Sequence, residues 1–202
     1  MTPAVTAILL AAGRSRRMGS CKQLLPLGAE SALERCLGTL FAAGAAGVVV
    51  VVSPGADGER VALAAARFPV RVVVNREAEG DMASSIRAGR DRLPAGAEAV
   101  LVALCDLPLV RPETVATLVH LHRTAPERIL MPTCGGRKGH PLLVPLPVLA
   151  DLGEGETLRE VIGRHRRLVR EVEVDDPGIL ADMDLPQDYL RMLSRLCRDR
   201  AF

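Results

Sequence analysis

The sequence predicts an α/β fold: a single doubly wound, mostly parallel sheet with helices on both faces. Short runs of β-branched and apolar residues recur at positions 5–10, 48–52, 70–74 and 100–104. Continuous runs of that length suit strands buried on both faces of a parallel sheet. Longer stretches with helical spacing separate them, and the resulting βαβα order is the one from which open parallel sheets are wound. The chain has 202 residues, 49% hydrophobic and 25% charged, which is enough for one globular domain with a full core. One domain over residues 1–202 is expected, since there is no internal repeat, low-complexity tract or linker.

Taken in order, the first strand (5–10) runs into a loop of small residues. Ser31-Ala-Leu-Glu34 then opens a helix as a capping box, in which hydroxyl and carboxylate satisfy the free N–H groups of the first turn. The runs at 48–52 and 70–74 supply the next two strands, and the run at 100–104 ends in Cys-Asp-Leu-Pro. Pro112 fits the first position of the helix that follows, where a missing N–H costs nothing. A second capping box, Thr157-Leu-Arg-Glu160, starts a later helix, and residues 168–174 (LVREVEV) alternate as a half-exposed strand would. Pro186 marks the start of the last helix.

Charge narrows the function. Twenty-six basic residues against 24 acidic ones leave a net +2, and the two signs are interspersed. A nucleic-acid binder would carry a basic surplus or a concentrated basic face, so no nucleic-acid partner is expected. No apolar run reaches the roughly 18 residues of a membrane span, so no membrane partner is expected either. The apolar start lacks a preceding basic region and is followed by RSRR, the reverse of a signal peptide, which points to the cytoplasm. The five cysteines, at 21, 36, 105, 134 and 197, form no C-x-x-C pair and read as reduced thiols, mostly small buried hydrophobes. Among the basic residues only Lys22 and Lys138 are lysine.

In sheets of this class ligands bind beyond the carboxyl ends of the strands. Four places qualify. Residues 9–28 (LLAAGRSRRMGSCKQLLPLG) leave strand one through small residues with Arg14, Arg16, Arg17 and Lys22, a composition suited to a polyphosphate cradle. It is neither a Walker A loop, whose spacing fails between Gly13, Gly19 and Lys22, nor a Rossmann G-x-G-x-x-G. Asp106 ends strand four, where a carboxylate either holds Mg²⁺ or bonds nearby N–H groups in a turn. Asp182-Met-Asp184 precedes the last helix and supplies either an N-cap or a second metal carboxylate; spacing alone does not say which Asp faces inward. Gly135-Gly-Arg-Lys-Gly-His-Pro141 gathers Lys138, Gly139 and His140, with His140 meeting a substrate phosphate or sitting in a solvated turn. His120, His122 and His165 read as surface residues.

These segments carry a resemblance. Residues 9–28 resemble the L-A-A-G-x-S-x-R-M-G-x-x-K signature of MobA-like nucleotidyltransferases, and EGDMASSIRAG (79–89), CDLP (105–108), GRKGHP (136–141) and DMDLPQDY (182–189) follow in the family's order. The resemblance implies an NTP-using transferase that joins a nucleoside monophosphate to a phosphate-bearing acceptor and releases pyrophosphate. LAAG and the G-H-P loop look most like molybdenum cofactor cytidylyltransferases, which implies CTP as donor, the molybdopterin phosphate as acceptor, and a client molybdoenzyme as a partner. Carried onto this chain, it places Leu10, Ala11, Ala12 and Gly13 on the nucleotide, Arg17 and Lys22 on the triphosphate, and Gly80 and Ser85 near base and ribose. It also implies Asp106 and Asp184 as Mg²⁺ ligands and Lys138, Gly139 and His140 on the acceptor side. Two positions depart from the pattern: Asp81 stands where many relatives have glycine, and Leu185 replaces a threonine.

The inventory suits that chemistry. An acceptor phosphate oxygen is already anionic, so Lys22, Arg17 and Asp106 would act by managing charge rather than as base or nucleophile. Alternatives of other kinds are a guanylyltransferase, a transferase for another phosphorylated metabolite, and a non-catalytic protein that holds nucleotide or cofactor for a client.

Overall fold

The computed structural model describes residues 4–13, 15, 17–77 and 81–199. The central sheet is built from β1 (Ala4–Ala11), β4 (Gly47–Val52), β5 (Arg71–Val74), β6 (Ala97–Leu104), β7 (Ile129–Cys134), β9 (Leu142–Pro145) and β10 (Val169–Glu173). Their order across the sheet is β10-β7-β9-β6-β1-β4-β5, with the two-residue β8 (Arg137–Lys138) antiparallel to β7. β6, β1, β4 and β5 are parallel neighbours, as are β7 and β10; β9 runs antiparallel between β6 and β7. The expected doubly wound, mostly parallel sheet is therefore present, with one reversed strand inside it. A separate hairpin, β2 (Pro26–Leu27) and β3 (Glu30–Ser31), follows the first loop.

Alternate residues of the strands feed two cores, as the period of two requires. Val5, Leu9, Val50 and Leu101 face α1 (Ala32–Ala42), α2 (Ala56–Ala65) and α4 (Pro112–Thr124). Ile8, Val51, Val100 and Val102 face α3 (Met82–Arg90), α5 (Leu146–Ala150) and α6 (Leu158–Arg164). Gly89 lets α3 approach the sheet: a Cβ there would lie 2.7 Å from Ile8 Cγ2 and 3.0 Å from Val51 Cγ2, below the closest ordinary contact. Both capping boxes form, Ser31 with Glu34 and Thr157 with Glu160, and Pro112 occupies the first turn of α4.

The last helix, α7 (Pro186–Asp199), packs outside the sheet on a small third core with Leu27, Ala32, Met183 and Met192 at its centre and Met18 against it. That core joins the first loop to the end of the chain. None of the described helices is long and apolar enough to cross a membrane. Cys21, Cys36 and Cys105 are buried, Cys134 is half-buried and Cys197 exposed, all as free thiols.

One surface assignment is corrected. His122 is buried on the inner face of α4, 1% exposed, because its position one turn beyond Leu118 and three after Val119 puts it on the apolar stripe. Neither ring nitrogen has a protein partner among the described residues, and burial lowers its pKa against the raising effect of Glu98 and Glu127. His120 is exposed and His165 half-buried against Asp151.

Candidate active site

The chain after β1 goes by α1 to β4 on one side, whereas the chain after β5 goes by α3 to β6 on the other. The order reverses between β1 and β6, and the crevice at their carboxyl ends is where such sheets take ligands. A cleft of about 200 Å³ lies there. Leu10, Ala12 and Gly13 line it from β1 and its loop, Lys22 from the short 3-10 turn that follows, Ser85 from α3, and Asp106 from the end of β6. Six residues separated by up to 96 positions in sequence thus meet in one place. Ala11, beside them, is buried and offers its carbonyl to the scaffold instead. Gly80, Arg14 and Arg16 lie outside the described residues.

Lys22 sits at the centre. Its ammonium donates to Asp106 Oδ2 at 2.8 Å and to Asp184 Oδ1 at 2.9 Å, with only 10% of the side chain exposed. Burial lowers its pKa, but Asp106 and Asp184 together more than offset that, and the net shift is upward. Arg17, largely exposed, reaches the other oxygen of Asp184 at 3.2 Å. The Lys22 hydrogen bond, followed by the charges of Lys22 and Arg17, holds the Asp184 carboxyl below its usual range. Asp106 Oδ1 is buried without a hydrogen-bond partner among the described residues. An orphaned carboxylate oxygen beside a second carboxylate fits a hard divalent ion that keeps most of its ligands as water and phosphate. Asp106 and Asp184 would hold such an ion.

The loop around Lys22 is fixed by a residue to which sequence reading gave no role. Gln23, 3% exposed, donates through Nε2 to Ala11 O at 3.0 Å and Gly13 O at 2.8 Å, so one amide fastens both sides of the bend. Ser15 adopts a φ of 49°, and its Oγ accepts from Lys22 N at 3.0 Å. A polar residue able to bond its own neighbourhood tolerates the left-handed region better than most.

Asp184 is placed by its neighbours. Met183 N donates to Asp106 O at 2.9 Å, which ties the two carboxylate segments together backbone to backbone. The cap before α7 is supplied by Asp188, whose Oδ2 accepts from Leu185 N at 2.8 Å and Asp184 N at 3.3 Å. Asp184 therefore does not cap the helix and its carboxylate faces Lys22, whereas Asp182 is exposed. On the opposite wall Asp81 caps α3, accepting from Ser84 N at 2.8 Å, which gives the departure from glycine a structural reason. Asn75, at the end of β5, was also missed; its amide donates to Ser84 Oγ and Ser85 Oγ at 2.8 and 3.0 Å and sets the first turn of α3 against the sheet.

The 135–141 loop borders a second, larger cleft of about 880 Å³, where Lys138, Gly139 and His140 form part of the wall. Lys138 is paired with Glu171 at 2.8 Å. Gly139 passes so close to Ile179 O that no Cβ would fit. His140 is not a solvated turn residue: burial lowers its pKa, against a hydrogen bond to Val102 O and the charge of Asp106, and it is neutral near pH 7.

With this geometry in hand, residues 7–174 match the family model of the MobA-like NTP transferase domain. The chain belongs to the MobA-like NTP transferase family. Among proteins of known name, it is 32% identical over 203 residues to nicotine blue oxidoreductase of Paenarthrobacter nicotinovorans, covering 95% of this chain and 97% of that one. It is also 32% identical over 133 residues to a probable molybdenum cofactor guanylyltransferase of Mycolicibacterium paratuberculosis, covering 65% of this chain and 64% of that one. Among solved structures, Rv0371c of Mycobacterium tuberculosis H37Rv superposes with a TM-score of 0.82 at 28% identity, covering 96% of this chain and 99% of that one, and a second structure of that protein is a complex with manganese.

Proposed function

We propose that this chain, as one domain over residues 1–202, is a cytoplasmic Mg²⁺-dependent nucleotidyltransferase. It moves a nucleoside monophosphate, CMP from CTP, onto a phosphate-bearing acceptor of the molybdenum cofactor type, releases pyrophosphate, and passes its product to a client molybdoenzyme. The observation that carries this reading is the Lys22–Asp106–Asp184 cluster at the switch point of the sheet, lined on one side by Ala12 and Gly13.

The roles follow from chemistry. Small residues at 12 and 13 leave room for phosphate groups against the backbone, and Leu10 and Ser85 border the nucleoside. When phosphate enters, Lys22 exchanges one carboxylate for an α-phosphate oxygen; its compact ammonium suits a single oxygen better than a guanidinium fork would. Arg17, solvent-facing and tied among the described residues to Asp184, meets the leaving β,γ-phosphates. A divalent ion held by Asp106 and Asp184 would supply Lewis acidity to the phosphate oxygens. The acceptor's phosphate oxygen attacks the α-phosphorus in line as the bond to pyrophosphate breaks, and no protein group needs to take a proton.

Pyrophosphate release measured with CTP, GTP, ATP and UTP in turn, with Mg²⁺ and molybdopterin, tests the reading. CTP is expected to give the highest rate. GTP preference would make this a guanylyltransferase, release only with another phosphorylated acceptor would reassign the acceptor, and nucleotide binding without release would leave a non-catalytic holder.

The end-to-end similarity to nicotine blue oxidoreductase supports a second reading, a redox reaction on a molecule bound in the same clefts. Consumption of a reduced nicotinamide without pyrophosphate release would favour it.

A further inference from the structure

The two edges of the central sheet are finished differently. β10 closes one side, and three of its five residues, Arg170, Glu171 and Glu173, are charged and exposed, with Glu171 paired to Lys138 at 2.8 Å. Charges of that kind keep an edge from pairing with another chain. β5 closes the other side and carries no such device between its ends: Val72, Val73 and Val74 follow one another, the first two half-buried and Val74 44% exposed. A β-branched run without proline, glycine or charge is what a further strand pairs with.

The main chain of β5 is half used. Asn75 N donates to Val52 O at 2.9 Å, so in the parallel ladder with β4 residues 71, 73 and 75 turn their peptide groups inward, and Val72 and Val74 turn theirs outward. Among the described residues no strand covers that side, and an open cleft of about 1270 Å³ follows β5 from Arg71 to Glu77, between it and α3.

Charge along this cleft has a direction. Arg71, Val73, Asn75 and Glu77 form the row that faces α3, through Arg92 O, the α3 core, Ser84 and Arg87 respectively; Arg76 falls outside that row. At the start of the row Arg71 is held by Arg92 O at 2.6 Å, with Arg92 itself beside it, while Asp91 is paired with Arg90 at 3.3 Å. At the other end are Glu77 and Glu154, brought together by Arg87, which donates to Glu77 Oε1 at 3.1 Å and to Gly153 O at 3.0 Å. A strand that is cationic at one end and carboxylate-bearing at the other complements an antiparallel copy of itself.

We infer that β5 is the interface of a symmetric dimer, in which the β5 strands of two copies pair antiparallel with Val74 opposite Val74 of the second copy and Arg71 opposite Glu77 of the second copy. Two conditions fix the register. Outward-facing peptide groups must meet outward-facing ones, so even positions meet even positions. Centring the pair on Val74 then joins cation to carboxylate on the α3 face, whereas centring it on Val73 sets Arg71 opposite Asn75. The two-fold axis stands perpendicular to the sheet, keeps both α3 helices on one face and makes one continuous sheet of two, the isologous arrangement that a self-complementary edge allows. β4 lies between this edge and β1, so the nucleotide cleft stays open, and the inference stands apart from the transferase reading.

Sedimentation equilibrium of the full chain tests it. Wild type is expected to be dimeric. Val74→Lys, which sets two ammonium groups face to face on the axis, is expected to raise the dimer dissociation constant at least about tenfold with an unchanged circular-dichroism spectrum. Arg71→Glu and Glu77→Arg are each expected to weaken the dimer by about tenfold, since symmetry makes two like-charged contacts from one substitution, and the double variant Arg71→Glu/Glu77→Arg is expected to recover most of the loss. A wild-type monomer at every concentration up to the solubility limit, a dimer indifferent to Val74→Lys, or a double variant no tighter than the single ones overturns the inference.

Discussion

Lys22 is held where a second cation would otherwise sit, between two carboxylates and almost out of solvent. Replacing it with Met removes the charge at similar length and leaves Asp106 and Asp184 facing one another. Nucleotidyl transfer should fall on the order of 10²–10³, the usual cost of a lost electrostatic stabiliser. Mn²⁺ binding without nucleotide should tighten in the same variant, because like carboxylates gain from a shared ion; weaker Mn²⁺ binding would mean that the two side chains do not form one site. Asp106→Asn keeps the carbonyl that Met183 N uses, so the fold is expected to survive while turnover at saturating Mg²⁺ drops by a similar factor. Near-native turnover would remove Asp106 from the metal. These two residues were legible in the sequence because charge at the end of a strand is conspicuous. Gln23 and Asn75 were not, since an amide reveals its purpose only when the carbonyls and hydroxyls it joins are brought near it in space.

Elements followed the same logic. β1, β4, β5 and β6 were legible as unbroken β-branched runs, and the two capping boxes marked α1 and α6 because their chemistry is local. β7 was not, since Pro132 interrupts it and proline cannot donate to a ladder. The structure accommodates it by using only its carbonyl, which accepts from Gly139 N at 2.9 Å, while β9 pairs with β7 at Leu130 and Leu143 alone. The reversal of β9 depends on contacts distant in sequence and leaves no local pattern. For α3, the cap at Asp81 is a testable part of the site wall: Asp81→Ala should cost about 1 kcal/mol, or roughly 2–4 °C in Tm for a chain of this size, read by calorimetry. Gly89→Val should cost about 1–3 kcal/mol by forcing Ile8 and Val51 aside.

At the scale of the whole molecule, the buried His122 and the half-buried His140 give stability a pH dependence of known sign. Burial lowers the pKa of both His122 and His140, so the unfolded chain takes up these protons at higher pH than the folded one. Stability is therefore present above the unfolded value of about 6.5 and lost as pH falls below it, at up to about 1.4 kcal/mol per pH unit per histidine. His122→Leu should flatten Tm between pH 7.5 and 5 relative to wild type; an unchanged slope would mean that His122 binds its proton equally well in the folded and unfolded chain. The same global observable reaches the site. A ligand that binds only the folded chain raises its stability by mass action, about 2.7 kcal/mol at a hundredfold excess over Kd. The most direct measurement is therefore Tm with each of the four NTPs and Mg²⁺, in wild type and in Asp106→Asn. A clear rise with CTP that is reduced in the variant is expected, and a flat response to all four nucleotides in wild type would contradict a nucleotide site at Lys22, Asp106 and Asp184.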